Sequence, residues 1–219
     1  MVLFRKLAVS EVIILLVVSL AAIPGTPQVR LPDFSCSSFP PDLSEHDLVV
    51  RFGAGNVVTA QIEGGGAEGE YNEGTVLFPK DSDARLEILW KEKESKRTPD
   101  WVRVRAARSR WRYAGINLGT DLLTVEKLNG GPFVLTGFGT DSEGALISWG
   151  NGRLRAFDSE ACRVQIWLHP EKEVDDRLGI TKLNQLEHQV LGVRAYSSGH
   201  PAMQALNPRV YEMAVRYSP

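Results

Sequence analysis

Proton transfer near neutral pH is chemistry for histidine, and this protein has four: His46, His169, His188 and His200. None stands in a local catalytic motif. The sequence holds no G-x-S-x-G, no H-E-x-x-H and no C-x-x-C, so a nucleophile, its base and an orienting acid would have to be assembled by the fold. His169 opens an acidic stretch, 169–183, with Glu171, Glu173, Asp175 and Asp176. Oxygen-ligand cation sites use denser spacing, so the stretch reads as a solvated loop of mixed charge, and no metal or other cofactor is assigned. Gly64-Gly65-Gly66 would cradle phosphate only by opening a helix. It lies between strands among carboxylates and reads as a plain loop, as Asp141, Ser142 and Glu143 read as turn formers.

A second chemistry is recognition of anions. Arg103, Arg105, Arg108, Arg110 and Arg112 alternate with Val102, Val104, Trp111 and Tyr113. Residues two apart on a strand share a face, so Arg103 and Arg105 point the same way. Two readings compete: a surface for an anionic partner, or the solvent side of a half-buried antiparallel sheet, which alternates in any case. Tryptophan and arginine are favoured anchors at interfaces. On the binding reading the site is Arg103, Arg105, Arg110, Trp111 and Arg112, with Trp149 from the second half of the sequence. Trp90 and Trp167 fall at corresponding strand positions and are expected in the core.

These side chains have to be held by a fold preceded by an export signal. Arg5 and Lys6 form a positive n-region, Val12–Ile23 is an apolar run of 12 residues, and Ser19 and Ala21 supply the small residues of a cleavage site. The run falls short of the roughly 20 residues of a spanning helix. Residues 1–25 therefore read as a secretory signal cut after Ala21, with an uncleaved anchor as the alternative. Residues 26–43 form a Pro-rich leader (Pro27, Pro32, Pro40, Pro41) that excludes regular helix. It carries Cys36. Asp33-Phe34-Ser35 lacks the aliphatic residue expected before a lipidated cysteine, and an exported protein with two cysteines predicts a Cys36–Cys162 disulfide.

The remainder reads as two tandem α+β units, 44–116 and 117–219. Ser44-x-x-Asp47 has the form of a capping box ahead of Leu48, Val49 and Phe52, and Gly53 stops that helix. In the second unit Thr120 is the N-cap candidate, and Leu122, Val125 and Leu128 share a face before Asn129-Gly130-Gly131 and Pro132. Gly53 and Gly130 stand 77 positions apart. Strands are expected at 57–62, 74–78, 85–90, 101–106 and 110–116 in the first unit. In the second they are expected at 133–138, 144–149, 153–157 after the Asn151-Gly152 turn, 162–168, 190–196 and 209–217. One helical turn is expected at 201–206.

The string Ile116-x-x-Gly119, then Val125-x-x-Leu128-Asn129-Gly130-x-Pro132-Phe133, resembles the opening of a superfamily of small secreted bacterial domains. That superfamily takes in β-lactamase inhibitor protein and the small lipoprotein of the outer-membrane assembly complex. The resemblance implies a short helical segment packed on an antiparallel sheet, and it transfers no contact residue.

The expectation is an exported, periplasmic or secreted protein without enzymatic activity. It would bind another envelope or secreted protein through an open sheet face. The alternatives are an envelope hydrolase or ligand-binding enzyme using a cleft between the units, and a structural envelope protein. A net charge of −2 and pI near 6.1 give no basic footprint for nucleic acid, and no stable membrane span is expected once the signal is removed.

Overall fold

Ser44 starts the first helix because its hydroxyl and the Asp47 carboxylate each satisfy an amide of the other. Ser44 Oγ accepts from Asp47 N at 3.2 Å, and Asp47 Oδ2 accepts from Ser44 N at 2.9 Å, the capping box the sequence predicts. The Ser44 hydroxyl also donates to Asp47 Oδ2 at 2.6 Å, and this bond, followed by that from Ser44 N, favours the charged carboxylate and holds Asp47 below the usual range. Helix α1 (Glu45–Phe52) ends at Gly53, and α2 (Leu122–Asn129) ends at Gly130, at the expected offset of 77. Both glycines take a positive φ, 85° and 83°, where the missing Cβ removes the steric cost. The N-cap of α2 is Asp121 rather than Thr120. The Asp121 carboxylate accepts from Thr124 N at 2.8 Å, a charge-assisted bond a hydroxyl cannot match. Thr120 Oγ1 accepts from Asn117 N in the preceding turn.

The computed structural model describes residues 30–64, 69–139, 144–159, 161–170 and 179–217. The signal region and the acidic positions Glu171, Glu173, Asp175 and Asp176 lie outside the described residues, as do Asp141, Ser142 and Glu143. Among the described residues no helix is long and apolar enough to cross a membrane. Leu31–Pro219 forms one compact unit.

The fold is α+β, with short helices packed on antiparallel sheets. Two further helices are α3 (Ile180–Gln189) and α4 (Pro201–Leu206). Six strands form one antiparallel sheet: β1 (Val57–Glu63), β2 (Tyr71–Leu77), β3 (Leu86–Glu92), β4 (Arg97–Val104), β9 (Arg209–Tyr217) and β7 (Cys162–His169), in the order β1-β2-β3-β4-β9-β7. A second sheet holds β6 (Leu146–Ser148), β5 (Val134–Thr136) and β8 (Ala195–Ser197), in that order. The C-terminal half thus supplies two strands to the sheet begun by the N-terminal half.

All four helices bury residues in one core with the inner face of that sheet. Leu48 of α1, Leu122 and Val125 of α2, Leu183 of α3, and Met203 and Leu206 of α4 join Ile88, Val102, Val104, Val164, Ile166 and Val215. The motif residues Ile116 and Phe133 are fully buried there as well. A second cluster, Ile62, Val76, Leu89 and Trp101, is made of strand residues alone and lies on the other face.

Three expected strands take other forms. Residues 110–116 alternate in burial, but their amides bond to loops: Arg110 N donates to Asp83 O, and Phe34 N donates to Arg112 O. The alternation reflects an extended segment laid across the core. Residues 153–157 form a 3-10 turn in place of a return strand. Asn129 is the cause. Its Nδ2 donates to Trp149 O and Gly131 O, and its Oδ1 accepts from Leu154 N. Gly152 fits over it because a Cβ there would stand 2.0 Å from Asn129 Oδ1. Arg153 then donates to the Lys127 and Leu128 carbonyls, covering the C-terminal end of α2. At 190–196 only the last two residues reach β8, because α3 runs up to Gln189. The spacing of Leu183, Leu186 and Val190 carries that helical signal.

Candidate binding site on the sheet

The tryptophans expected as exposed anchors are in the core. Trp111 is 0% exposed and Trp149 is 1% exposed. Trp111 packs its ring 6.2 Å from Phe34 and 5.6 Å from Phe39, and its Nε1 donates to Ala84 O at 2.8 Å. Trp149 lies 5.7 Å from the Phe133 ring and 6.3 Å from the Tyr113 ring. The Pro-rich leader is the reason for the first: it supplies two aromatic rings that close over Trp111. These two indoles therefore carry no part of an open binding surface.

The arginines of the run divide. Arg103 is nearly buried, lies over the Trp101 ring at 4.3 Å, and is held by Glu87 at 2.9 Å and the Glu63 carbonyl at 2.6 Å. Arg105 shares its face, as expected, and bridges Glu212 at 2.6 Å and Glu63 at 3.2 Å. Hydrogen bonds from Arg105 to those carboxylates raise its pKa despite desolvation. Arg110 pairs with Asp81 in a loop off the sheet. Arg112 is exposed, and its carbonyl accepts from the leader. The four arginines do not form one site. Arg103 and Arg105 are the sheet-face members, and both are neutralised.

Trp167, expected to mirror Trp90 in the core, faces outward. Trp90 is inside, donating to Thr75 Oγ1 at 2.8 Å. In β7, Val164 pairs with Val215 and Ile166 with Met213 on the inner face, while Arg163, Gln165 and Trp167 pair with Arg216, Ala214 and Glu212 on the outer one. The register thus places Arg163, Arg216 and a half-buried Trp167 together at the β9–β7 end of the outer face. Arg216 lies 5.8 Å from the Trp167 ring. The spacing Arg163-x-Gln165-x-Trp167 is visible in the sequence as a period of two; its pairing with Arg216 is not.

The disulfide joins Cys36 to Cys162, with the Cα atoms 6.0 Å apart. It fits an oxidising, non-cytoplasmic location. A cavity of about 380 Å³ is lined by Arg105, Gly119, His169, Arg209 and Tyr211 among others. His169 stacks edge-on against Tyr211 there, and Arg209 donates to Gly119 O. Among the described residues its lining holds no carboxylate and no serine or cysteine.

A buried polar trio lies beside α2. Tyr113 Oη, Trp149 Nε1 and Asp158 Oδ1 are buried, and none makes a hydrogen bond of standard geometry. Burial raises the Asp158 pKa above 3.8, against the pull of the Arg163 charge and the Trp149 N–H. A carboxylate raised in the folded state contributes full stability below its unfolded pKa, and this is lost as pH climbs through the folded value. Asp158→Asn is therefore expected to raise the urea midpoint at pH 7, with the gain disappearing below about pH 3.8. Equal or lower stability of the variant at pH 7 would contradict this.

The structure defines the class as an α+β protein of short helices on antiparallel sheets with one disulfide. Comparison with family models, curated proteins and solved structures gives no match for the sequence or the fold.

Proposed function

We propose that this is an exported, non-enzymatic protein, acting in the periplasm or after secretion, that binds an acidic envelope or secreted protein through the outer face of its six-stranded sheet. One observation carries the reading. Every described α-helix gives buried apolar side chains to the core that includes the inner face, and the outer face at β9 and β7 presents exposed Arg163 and Arg216 beside Trp167. Arginine and tryptophan together give charge, planarity and apolar area. Arg103 and Arg105, already paired, stiffen the centre of the sheet rather than engage the partner.

Affinity capture from an envelope or culture extract tests it. The wild type is expected to retain an acidic protein that the double variant Arg163→Glu, Arg216→Glu does not, with retention falling as salt rises. Identical capture profiles for the two proteins would reject the face.

A further inference from the structure

Arg163 and Arg216 are register partners on β7 and β9, so their side chains leave the same face from directly opposite positions. Like charges so placed repel and destabilise a strand pair. Among the described residues no carboxylate stands at ion-pair distance from either guanidinium. Glu212, the acidic neighbour on this face, is already committed to Arg105 at 2.6 Å. Arg216 is exposed as a residue, yet its guanidinium lies low against Trp167. Desolvation there, with the charges of Arg103 and Arg163, pushes its pKa below the usual arginine value against the attraction of Glu212 and Asp100.

A separate cavity of about 540 Å³ opens over the pair. Its floor is Arg163, Gln165, Trp167 and Arg216, and its side wall is Leu146 and Ile147 of β6. Gln165 Nε2 donates to Leu146 O at 2.6 Å and so fixes that wall against β7. Ile147 is 45% exposed, an apolar side chain beside two guanidinium groups that are attracted by Asp158, Glu212 and Asp100.

We infer that this cavity binds a carboxylate carrying an apolar body, with the oxygens shared between Arg163 and Arg216 and the apolar part against Trp167 and Ile147. Paired guanidinium forks match the planar carboxylate and strengthen the bonds by charge. The bound anion would offset the repulsion between Arg163 and Arg216. The inference deepens the proposed function, resting on it only for the β9–β7 end of the outer face being uncovered.

The test is an NMR titration of the full-length, disulfide-bonded protein, following the Trp167 indole N–H and the arginine Nε–H signals. Phenylacetate probes a free acid and N-acetylphenylalanine probes the C-terminal residue of a polypeptide; phenylacetamide and inorganic phosphate are the controls at fixed ionic strength. Saturable shifts with either carboxylate are expected, about tenfold tighter than with the amide or phosphate. Whichever carboxylate binds tighter identifies the source. Arg163→Gln and Arg216→Gln are each expected to weaken binding about tenfold, equivalent to losing about 1.4 kcal/mol. The inference is overturned if neither carboxylate binds, if phosphate or the amide binds as tightly, or if binding survives both substitutions. Phenylacetate binding without protein capture would reject the macromolecular partner and leave the cavity standing; capture without phenylacetate binding would do the reverse.

Discussion

Replacing Trp111 with alanine is expected to destabilise the protein by roughly 3–5 kcal/mol, the range for deleting a buried large aromatic side chain. The indole is wholly excluded from solvent, sits against Phe34 and Phe39, and gives its N–H to Ala84 O. Its removal opens a void among rings and leaves a buried carbonyl without its donor. In a protein of this size the thermal midpoint should fall by roughly 6–20 °C. The effect should reach the leader, because Phe34 and Phe39 lose the surface they pack on. Hydrogen exchange at the Phe34 and Phe39 amides should rise more than at β1. A variant with an unchanged midpoint but impaired partner capture would return Trp111 to the surface role and contradict the core assignment.

Opening the Cys36–Cys162 bond, by reduction or by changing both cysteines to alanine, is expected to cost about 5 kcal/mol in the chain-entropy model. The bridge spans 126 residues, and such a loop restricts the unfolded state strongly. In the folded state it holds the leader on β7 together with other ties. Tyr217 Oη donates to Phe39 O at 2.7 Å, and Arg51 donates to Ser38 O at 2.8 Å. Both ties remain in the reduced protein, so the expected product is folded but less stable, with a midpoint lower by roughly 10–20 °C. Urea unfolding with and without reductant measures the difference. Coincident curves would show that the bridge adds nothing to the restraint of the unfolded state.

Local chemistry made some elements legible in the sequence. Ser44 and Asp47 read as a cap and form one, since the bonds involved span only three residues. Gly53 and Gly130 read as helix stops and take the positive φ that only glycine adopts without strain. The alternation at 209–217 returned its strand with the same bounds, and Pro201–Leu206 its helix. The disulfide pairing followed from there being two cysteines.

Tertiary structure decided the site. Alternation states that two faces differ, but it does not say what covers either of them. Residues 110–116 alternate like a strand, and the burial of Trp111 among them was set by a leader more than 70 positions earlier in the sequence, whose Phe34 and Phe39 close over it. Trp90 and Trp167 occupy similar strand patterns, yet one faces the core and the other solvent, because register is a property of the paired strands and not of either one. Arg163 and Arg216 lie 53 positions apart and meet only because β9 inserts between β4 and β7. Short-range bonds could be read residue by residue; the charge pair and the cavity above it exist only once distant strands are set side by side.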